Sequence, residues 1–140
     1  MCNATDPILL YASGANTQII CYENSYYRVF GETLDTGIGN FLDTFGRELG
    51  LGFPAGPTLD ELYFKSNLSK TTNNKTLDNS KKLIELPYTV KGMDLAFSGL
   101  LTSSTKKIEE VKEGKIKQED LIYSALHLTL IHISEPTRPY

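Results

Sequence analysis

Two cysteines and two histidines are all that this 140-residue chain offers for disulfide frameworks and transition-metal cages. Cys2 and Cys21 lack CxxC spacing, which excludes a disulfide scaffold and suits a reducing compartment. His127 and His132 do not form a His-x-x-x-His pair, and no HExxH is present. No apolar run reaches the ~20 residues that a membrane span requires. No basic stretch followed by an apolar segment marks a secretory signal at the N-terminus, so no membrane partner is expected. Asn3, Asn67 and Asn74 open glycosylation sequons, which without such a signal read as chance matches in an Asn-rich chain. An overall basic excess is missing too. The net charge of −3 divides into −6 over residues 1–64, +5 over 65–117 and −2 over 118–140. That disfavours a strongly basic nucleic-acid domain. The middle stretch holds all eleven lysines, which suit either a phosphate backbone or a solvated loop and helix face.

What is present suffices for one core: 40% hydrophobic residues and an ordinary 22% charged. Pro7–Ala12, Thr17–Tyr22 and Tyr26–Phe30 are rich in β-branched and aromatic residues and are separated by Gly, Asn and Ser. They predict three strands of an antiparallel meander, with a hairpin turn at Glu23-Asn24-Ser25. Ile38, Phe41, Leu42, Phe45 and Leu49 recur at helical spacing, with Thr36 as the expected N-cap and Gly50 or Gly52 as the stop. Phe53-Pro54-Ala55-Gly56-Pro57 predicts a rigid turn, and Thr58–Leu62 the start of a second, shorter helix. Residues 66–82 form a polar insertion without apolar period, predicting a loop. Glu85–Leu101 is not clearly periodic. A helix is expected from Ser103 or Ser104 to about Glu113, stopping at Gly114. Another begins at Gln118, with Leu121, Ile122, Ala125 and Leu126 on its apolar face.

The C-terminal stretch is of a different character. Residues 130–140 resemble the translation of a sequencing-library adapter, and 127–140 are expected to be a non-native tail, leaving 1–126 as the domain segment.

Four stretches carry candidate chemistry. Tyr11-Ala12-Ser13-Gly14-Ala15-Asn16-Thr17 places small residues between two strands, where Gly14 permits a positive φ and backbone N–H groups can approach a phosphate. Most turns of this composition are plain hairpins. Gly31-Glu32-Thr33-Leu34-Asp35-Thr36-Gly37-Ile38-Gly39-Asn40-Phe41-Leu42-Asp43 sets glycines at a strand-to-helix junction, consistent with close backbone approach to a ligand. Phe53–Asp60 and Glu85–Asp94 complete the set.

Together these stretches resemble the tRNA N6-adenosine threonylcarbamoyltransferases, specifically the Kae1/OSGEP branch that supplies the catalytic subunit of the KEOPS complex. The likeness covers residues 5–124, and Glu85-Leu86-Pro87-Tyr88-Thr89-Val90-Lys91-Gly92-Met93-Asp94 is its most specific part. It implies an α/β fold: a central fragment of the actin-like, sugar-kinase-like ATPase fold, with two lobes about a nucleotide cleft lined by an antiparallel hairpin. It also implies transfer of a threonylcarbamoyl group from threonylcarbamoyl-AMP to N6 of adenosine 37 in tRNAs reading ANN codons. The implied partners are tRNA and Bud32-type kinase, Pcc1-type and Cgi121-type subunits; the implied compartment is the cytoplasm or nucleus.

By the same resemblance the substrate contacts are Tyr11, Ala12, Ser13, Gly14, Ala15, Asn16, Asp43, Gly56 and Asp60, with Asp43 on the ribose hydroxyls and Gly56 lining the adenosine. Tyr11 is the implied ligand of one divalent metal or iron per full-length subunit. The histidine ligands of the family have no counterpart here, so the metal site is expected to be incomplete and this chain inactive alone. Ala15 stands where a second glycine is usual, Gly37 where alanine is, Asp60 where glutamate is, and Ala96 where serine is. A non-catalytic, nucleotide-binding assembly subunit of the complex is the alternative reading. A nucleotide phosphohydrolase is a third, by analogy of fold alone.

Overall fold

The computed structural model describes the backbone of residues 7–68 and 83–134. The expected meander is present. β1 (Leu9–Ala12), β2 (Thr17–Glu23) and β3 (Tyr26–Glu32) form an antiparallel sheet in the order β1-β2-β3. Asn24 and Ser25, at φ 50° and 69°, make the two-residue turn between β2 and β3. Positive φ at both positions matches the right-handed twist of the flanking strands. Phe30 is an extra residue in β3, between the pairs Ile20–Val29 and Ile19–Gly31.

α1 (Ile38–Glu48) follows the predicted period: Phe41 and Phe45 are fully buried, and Ile38, Leu42 and Leu49 pack beside them. Gly50 closes it at φ +80°, with Gly50 N–H donating to Arg47 O at 3.0 Å and Leu51 N–H to Gly46 O at 2.9 Å. α2 (Gly56–Leu68) is longer than α1, not shorter, because it takes in Gly56 and Pro57 ahead of the expected start and then enters the polar tract. Proline is well tolerated in a first turn, where its missing N–H has no partner to lose. The rest of that tract, 69–82, lies outside the described residues, as do 135–140 of the C-terminal tail.

The aperiodic stretch resolves into a short hairpin, β4 (Val90–Lys91) with β5 (Asp94–Leu95), followed by α3 (Ser98–Lys112). α3 therefore begins about a turn before Ser103. The reason is distant in sequence. One Asp35 carboxylate oxygen accepts from Phe97 N–H and the other from Ser98 N–H, each at 2.9 Å, and the second also takes the Ser98 hydroxyl. Gly114 (φ +76°) ends α3 as predicted. α4 (Gln118–Ser134) buries Leu121, Ile122, Ala125 and Leu126, the expected face. Among the described residues no helix is long and apolar enough to cross a membrane.

The core lies among the four helices. α1 meets α2 and α3, α3 meets α4, and α4 returns to α2. Phe41 stacks on Phe45 at 5.9 Å and on Phe97 at 5.8 Å, and Leu59, Leu95, Leu100 and Ile108 fill the remainder. Gly46 lets α1 and α2 close: a Cβ there would lie 2.2 Å from Ala55 Cβ. The sheet joins the helices through its last strand. Glu32 N–H donates to Asp94 Oδ1 at 3.0 Å and Leu34 N–H to Leu95 O at 2.7 Å, while buried Gly31 sits against the Met93 carbonyl. The sheet itself keeps Leu9, Leu10, Tyr22, Tyr26, Tyr27 and Val29 exposed.

Partial burial pushes the Asp35 carboxyl up, but the Ser98 hydroxyl and the N–H groups of Phe97, Ser98 and Thr36 outweigh it. They lower it from 3.8 to about 2. A depressed folded value contributes stability that is complete above the unfolded value and is lost as pH falls through the folded one. Asp35→Ala is expected to cost about 1–2 kcal/mol at neutral pH, the range of a lost helix cap. In denaturant titrations the gap between the two proteins should narrow from pH 4 toward pH 2. A gap independent of pH would show that Asp35 does not hold α3 as a carboxylate.

Candidate functional site

The β1–β2 turn is built from short side chains that bond their own backbone. The Ser13 hydroxyl donates to Asn16 O at 2.8 Å and accepts Asn16 N–H at 3.2 Å, and Ser13 N–H donates to Asn16 O at 3.0 Å. This leaves the carbonyls of Ser13 and Gly14 pointing out of the turn, onto the start of α1. Gly39 N–H donates to Ser13 O at 3.2 Å and Asn40 N–H to Gly14 O at 3.1 Å; Ile38 N–H donates to the buried Thr17 hydroxyl at 3.1 Å. A second brace joins the turn to β3, where the Thr33 hydroxyl donates to Asn16 Oδ1 at 2.9 Å and Thr33 N–H to Thr17 O at 3.0 Å.

Three expectations change as a result. Thr36 is not the N-cap of α1; Gly37 occupies that position without a side-chain bond, and Thr17 caps from β2. The glycines at the junction make room for the turn itself. A Cβ on Gly37 would lie 2.6 Å from Asn16 N, and one on Gly39 would lie 2.8 Å from Gly14 Cα. Gly14 is not at positive φ, and neither is Ala15, so alanine at 15 introduces no backbone strain. The N–H groups of Gly14 and Ala15 make no bond among the described residues, and both residues are exposed.

Asp43 stands one turn along α1 from Asn40. Its Oδ1 accepts Ala55 N–H at 2.9 Å, at the entry to α2, so part of its hydrogen-bonding capacity is structural. Its carboxylate also lines an open depression of about 310 Å³ with Asn40, Thr44, Arg47, Leu51, Gly52 and Phe53. Gly56 opens α2 beside Asp43's partner Ala55, with nothing within 4 Å of where its Cβ would be. Asp60 is exposed one turn further along α2. The turn, Asp43 and the start of α2 are thus brought together through Asn40 and Ala55.

Tyr11 is 54% exposed on the outer strand β1, opposite Gln18. Among the described residues no three His, Cys, Asp or Glu side chains cluster, so Tyr11 has no companions from which a metal cage could be built. Thr17, Asn40, Arg47 and Phe53 belong to this region but were not singled out from sequence. The available signal was position: Asn40 lies three residues before Asp43, and Phe53 immediately before the Pro54 of the matched stretch.

The arrangement defines an α/β protein segment in which a polar turn is seated on a helix start, next to a carboxylate and an open helix N-terminus. The family model described as tRNA N6-adenosine threonylcarbamoyltransferase, TsaD, matches residues 1–138, and the chain belongs to that family. The protein of that name from Thermococcus sibiricus is 54% identical over 119 residues, 85% of this chain and 32% of the relative. Its namesake from Thermococcus kodakarensis is 51% identical over 124 residues, 89% of this chain and 33% of the relative. That of Thermococcus gammatolerans is 49% identical over 124 residues, with the same shares. The chain therefore spans about a third of the length of these relatives.

Adding a methyl group at Gly39 pushes the turn off α1. Gly39→Ala is expected to cost about 1–3 kcal/mol, the range for overpacking, and to deprotect the Asn40 amide in hydrogen exchange. An unchanged Asn40 amide would mean the turn is not the cap of this helix.

Proposed function

We propose that this chain is the nucleotide-holding part of an acyltransferase acting on tRNA. In the complete protein, threonylcarbamoyl-AMP gives its threonylcarbamoyl group to N6 of adenosine 37 in tRNAs reading ANN codons. The family membership supports the chemistry. The single structural observation that carries the reading is the turn seated on α1 with Asp43 one helical turn beyond it.

In this reading the free N–H groups of Gly14 and Ala15 face the AMP phosphate. Asp43 keeps one oxygen on Ala55 N–H and offers the other to the ribose hydroxyls, a paired contact suited to a carboxylate. The side-chain-free Gly56 leaves room for the adenosine, and Asp60 approaches from the exposed face of α2. The N6 amine attacks the carbamoyl carbon, a C–N bond forms, the bond from that carbon to the phosphate oxygen breaks, and a proton leaves N6. AMP departs with the phosphate oxygen. This chain contributes positioning, which converts an encounter into an oriented reaction.

One divalent metal or iron per full-length subunit belongs to the proposal, with Tyr11 as one ligand. The described residues supply no cage for it, so the remaining ligands are assigned to the longer protein. The two-lobed actin-like fold, the KEOPS partners and a cytoplasmic or nuclear setting are proposed on the same footing.

The test is a segment exchange. The 140-residue chain alone is expected to form no threonylcarbamoyladenosine on tRNA, whereas a T. sibiricus relative carrying residues 7–126 of this chain in place of its own segment should form it. Asp43→Asn in that chimera should raise KM for threonylcarbamoyl-AMP about tenfold or more, as a lost charged hydrogen bond does. A folded chimera without activity, or one indifferent to Asp43→Asn, would refute the proposal.

A further inference from the structure

The hydrogen-bonding groups of Asn16 are almost all spent inside the protein. Its backbone N–H donates to the Ser13 hydroxyl, and its backbone carbonyl accepts the Ser13 hydroxyl and N–H. Its side-chain Oδ1 takes the Thr33 hydroxyl at 2.9 Å. The N–H pair on Nδ2 makes no bond among the described residues. Thr33 decides that this end of the amide is the one left over. A hydroxyl carries one proton and two lone pairs. Thr17 N–H points at the Thr33 oxygen, a long contact of 3.5 Å that uses a lone pair, so the proton goes to Asn16. With the amide reversed, two donors would converge on Thr33 and its own proton would have no partner. Without Thr33, the last torsion of Asn16 would have two broad, roughly equivalent wells.

Thr33 is itself held from its far side. Glu32 N–H donates to Asp94 Oδ1 at 3.0 Å and Leu34 N–H to Leu95 O at 2.7 Å, so both sequence neighbours of Thr33 are tied to the β4–β5 hairpin. Thr33 also pairs with Leu95 in a parallel bridge, and its own N–H donates to Thr17 O at 3.0 Å. It therefore stands between the hairpin and the turn and is bonded to both. Asp94 closes the Glu85–Asp94 stretch, the most specific part of the family likeness. Among the described residues no hydrogen bond joins that stretch to the turn directly, so its hold on the turn passes through residues 32–34.

We infer that Thr33 is a positioning residue of the nucleotide site: it occupies Asn16 Oδ1 and so presents the Asn16 amide N–H pair to the ligand, and the β4–β5 hairpin keeps Thr33 in place to do this. The inference rests on the proposed nucleotide reading. It gives the Glu85–Asp94 stretch a task in that reading, which is to set the direction of a side chain it does not touch. A donor suits this point. A phosphate only accepts, and the turn, with no cation among Ser13–Thr17, already leaves the N–H groups of Gly14 and Ala15 unbonded. An Asn16 amide turned the other way would set an oxygen against the phosphate.

The test is nitrogen-edited NMR of the 140-residue chain, titrated with adenosine 5′-monophosphate and with adenosine, which lacks the phosphate. In the wild type AMP should bind more tightly than adenosine and should move the Asn16 side-chain N–H signals, which adenosine leaves in place. Thr33→Val keeps the shape and loses the hydroxyl. It should weaken AMP about fivefold, the worth of one net hydrogen bond, and leave adenosine unchanged. Thr33→Ser should restore wild-type AMP binding, and Asp94→Ala should weaken AMP by a smaller factor. The inference is overturned, and the nucleotide reading kept, if wild-type Asn16 signals ignore bound AMP or if Thr33→Val binds AMP like the wild type. It is overturned too if Thr33→Val weakens AMP and adenosine alike, the mark of a merely structural role. An Asp94→Ala chain with wild-type AMP affinity would remove the hairpin from the account. Should Thr33→Val not fold, the wild-type Asn16 signals decide. If the wild type binds neither ligand, the inference falls together with the nucleotide reading.

Discussion

Three N–H groups at the start of α1 and the three oxygens that close them organise this structure. Ile38, Gly39 and Asn40 donate to the Thr17 hydroxyl and to the carbonyls of Ser13 and Gly14. Left open, such a helix start would draw an anion or water. Here it draws the preceding turn instead, and so fixes the sheet against the helix layer at one point. Its consequence is geometric. The turn's own N–H groups at Gly14 and Ala15 make no bond among the described residues, in an exposed turn bonded to Asn40, one helical turn before Asp43. The helix gives up its own anion-binding capacity and positions the turn in its place.

A second long-range cap works in the same way just past β3, at the same end of the sheet. Asp35 leaves β3 and receives the start of α3, 62 residues later in the chain for Phe97 and 63 for Ser98. With Gly31 against Met93, and Glu32 against Asp94, the strand end is fixed to the β4–β5 hairpin. Both caps are short polar contacts made on helix starts by the meander and the segment just after it.

That division explains what the sequence revealed. The meander, the α1 period, the Gly50 and Gly114 stops and the α4 face depend on neighbours within a few positions, and all were legible. The start of α3 was not, because its cap is a distant aspartate; the cap of α1 was misassigned to Thr36 because Thr17 is a strand away. Gly37 and Gly39 were visible as special positions, yet composition cannot tell whether a missing side chain makes room for a ligand or for the chain itself. The candidate site was legible only through the likeness of whole stretches to a family. Spacing alone left Asp43 and the turn as ordinary features, and it left Phe53 as part of a rigid turn.

The central claim is that the Ser13–Thr17 turn, not solvent or ligand, occupies the start of α1. Amide hydrogen exchange of the ligand-free chain tests it directly. The account predicts that the Ile38, Gly39 and Asn40 amides are protected to the same degree as amides inside α1, while Gly14 and Ala15 exchange freely. Fast exchange at Ile38, Gly39 and Asn40, matching that of Gly14 and Ala15, would contradict it.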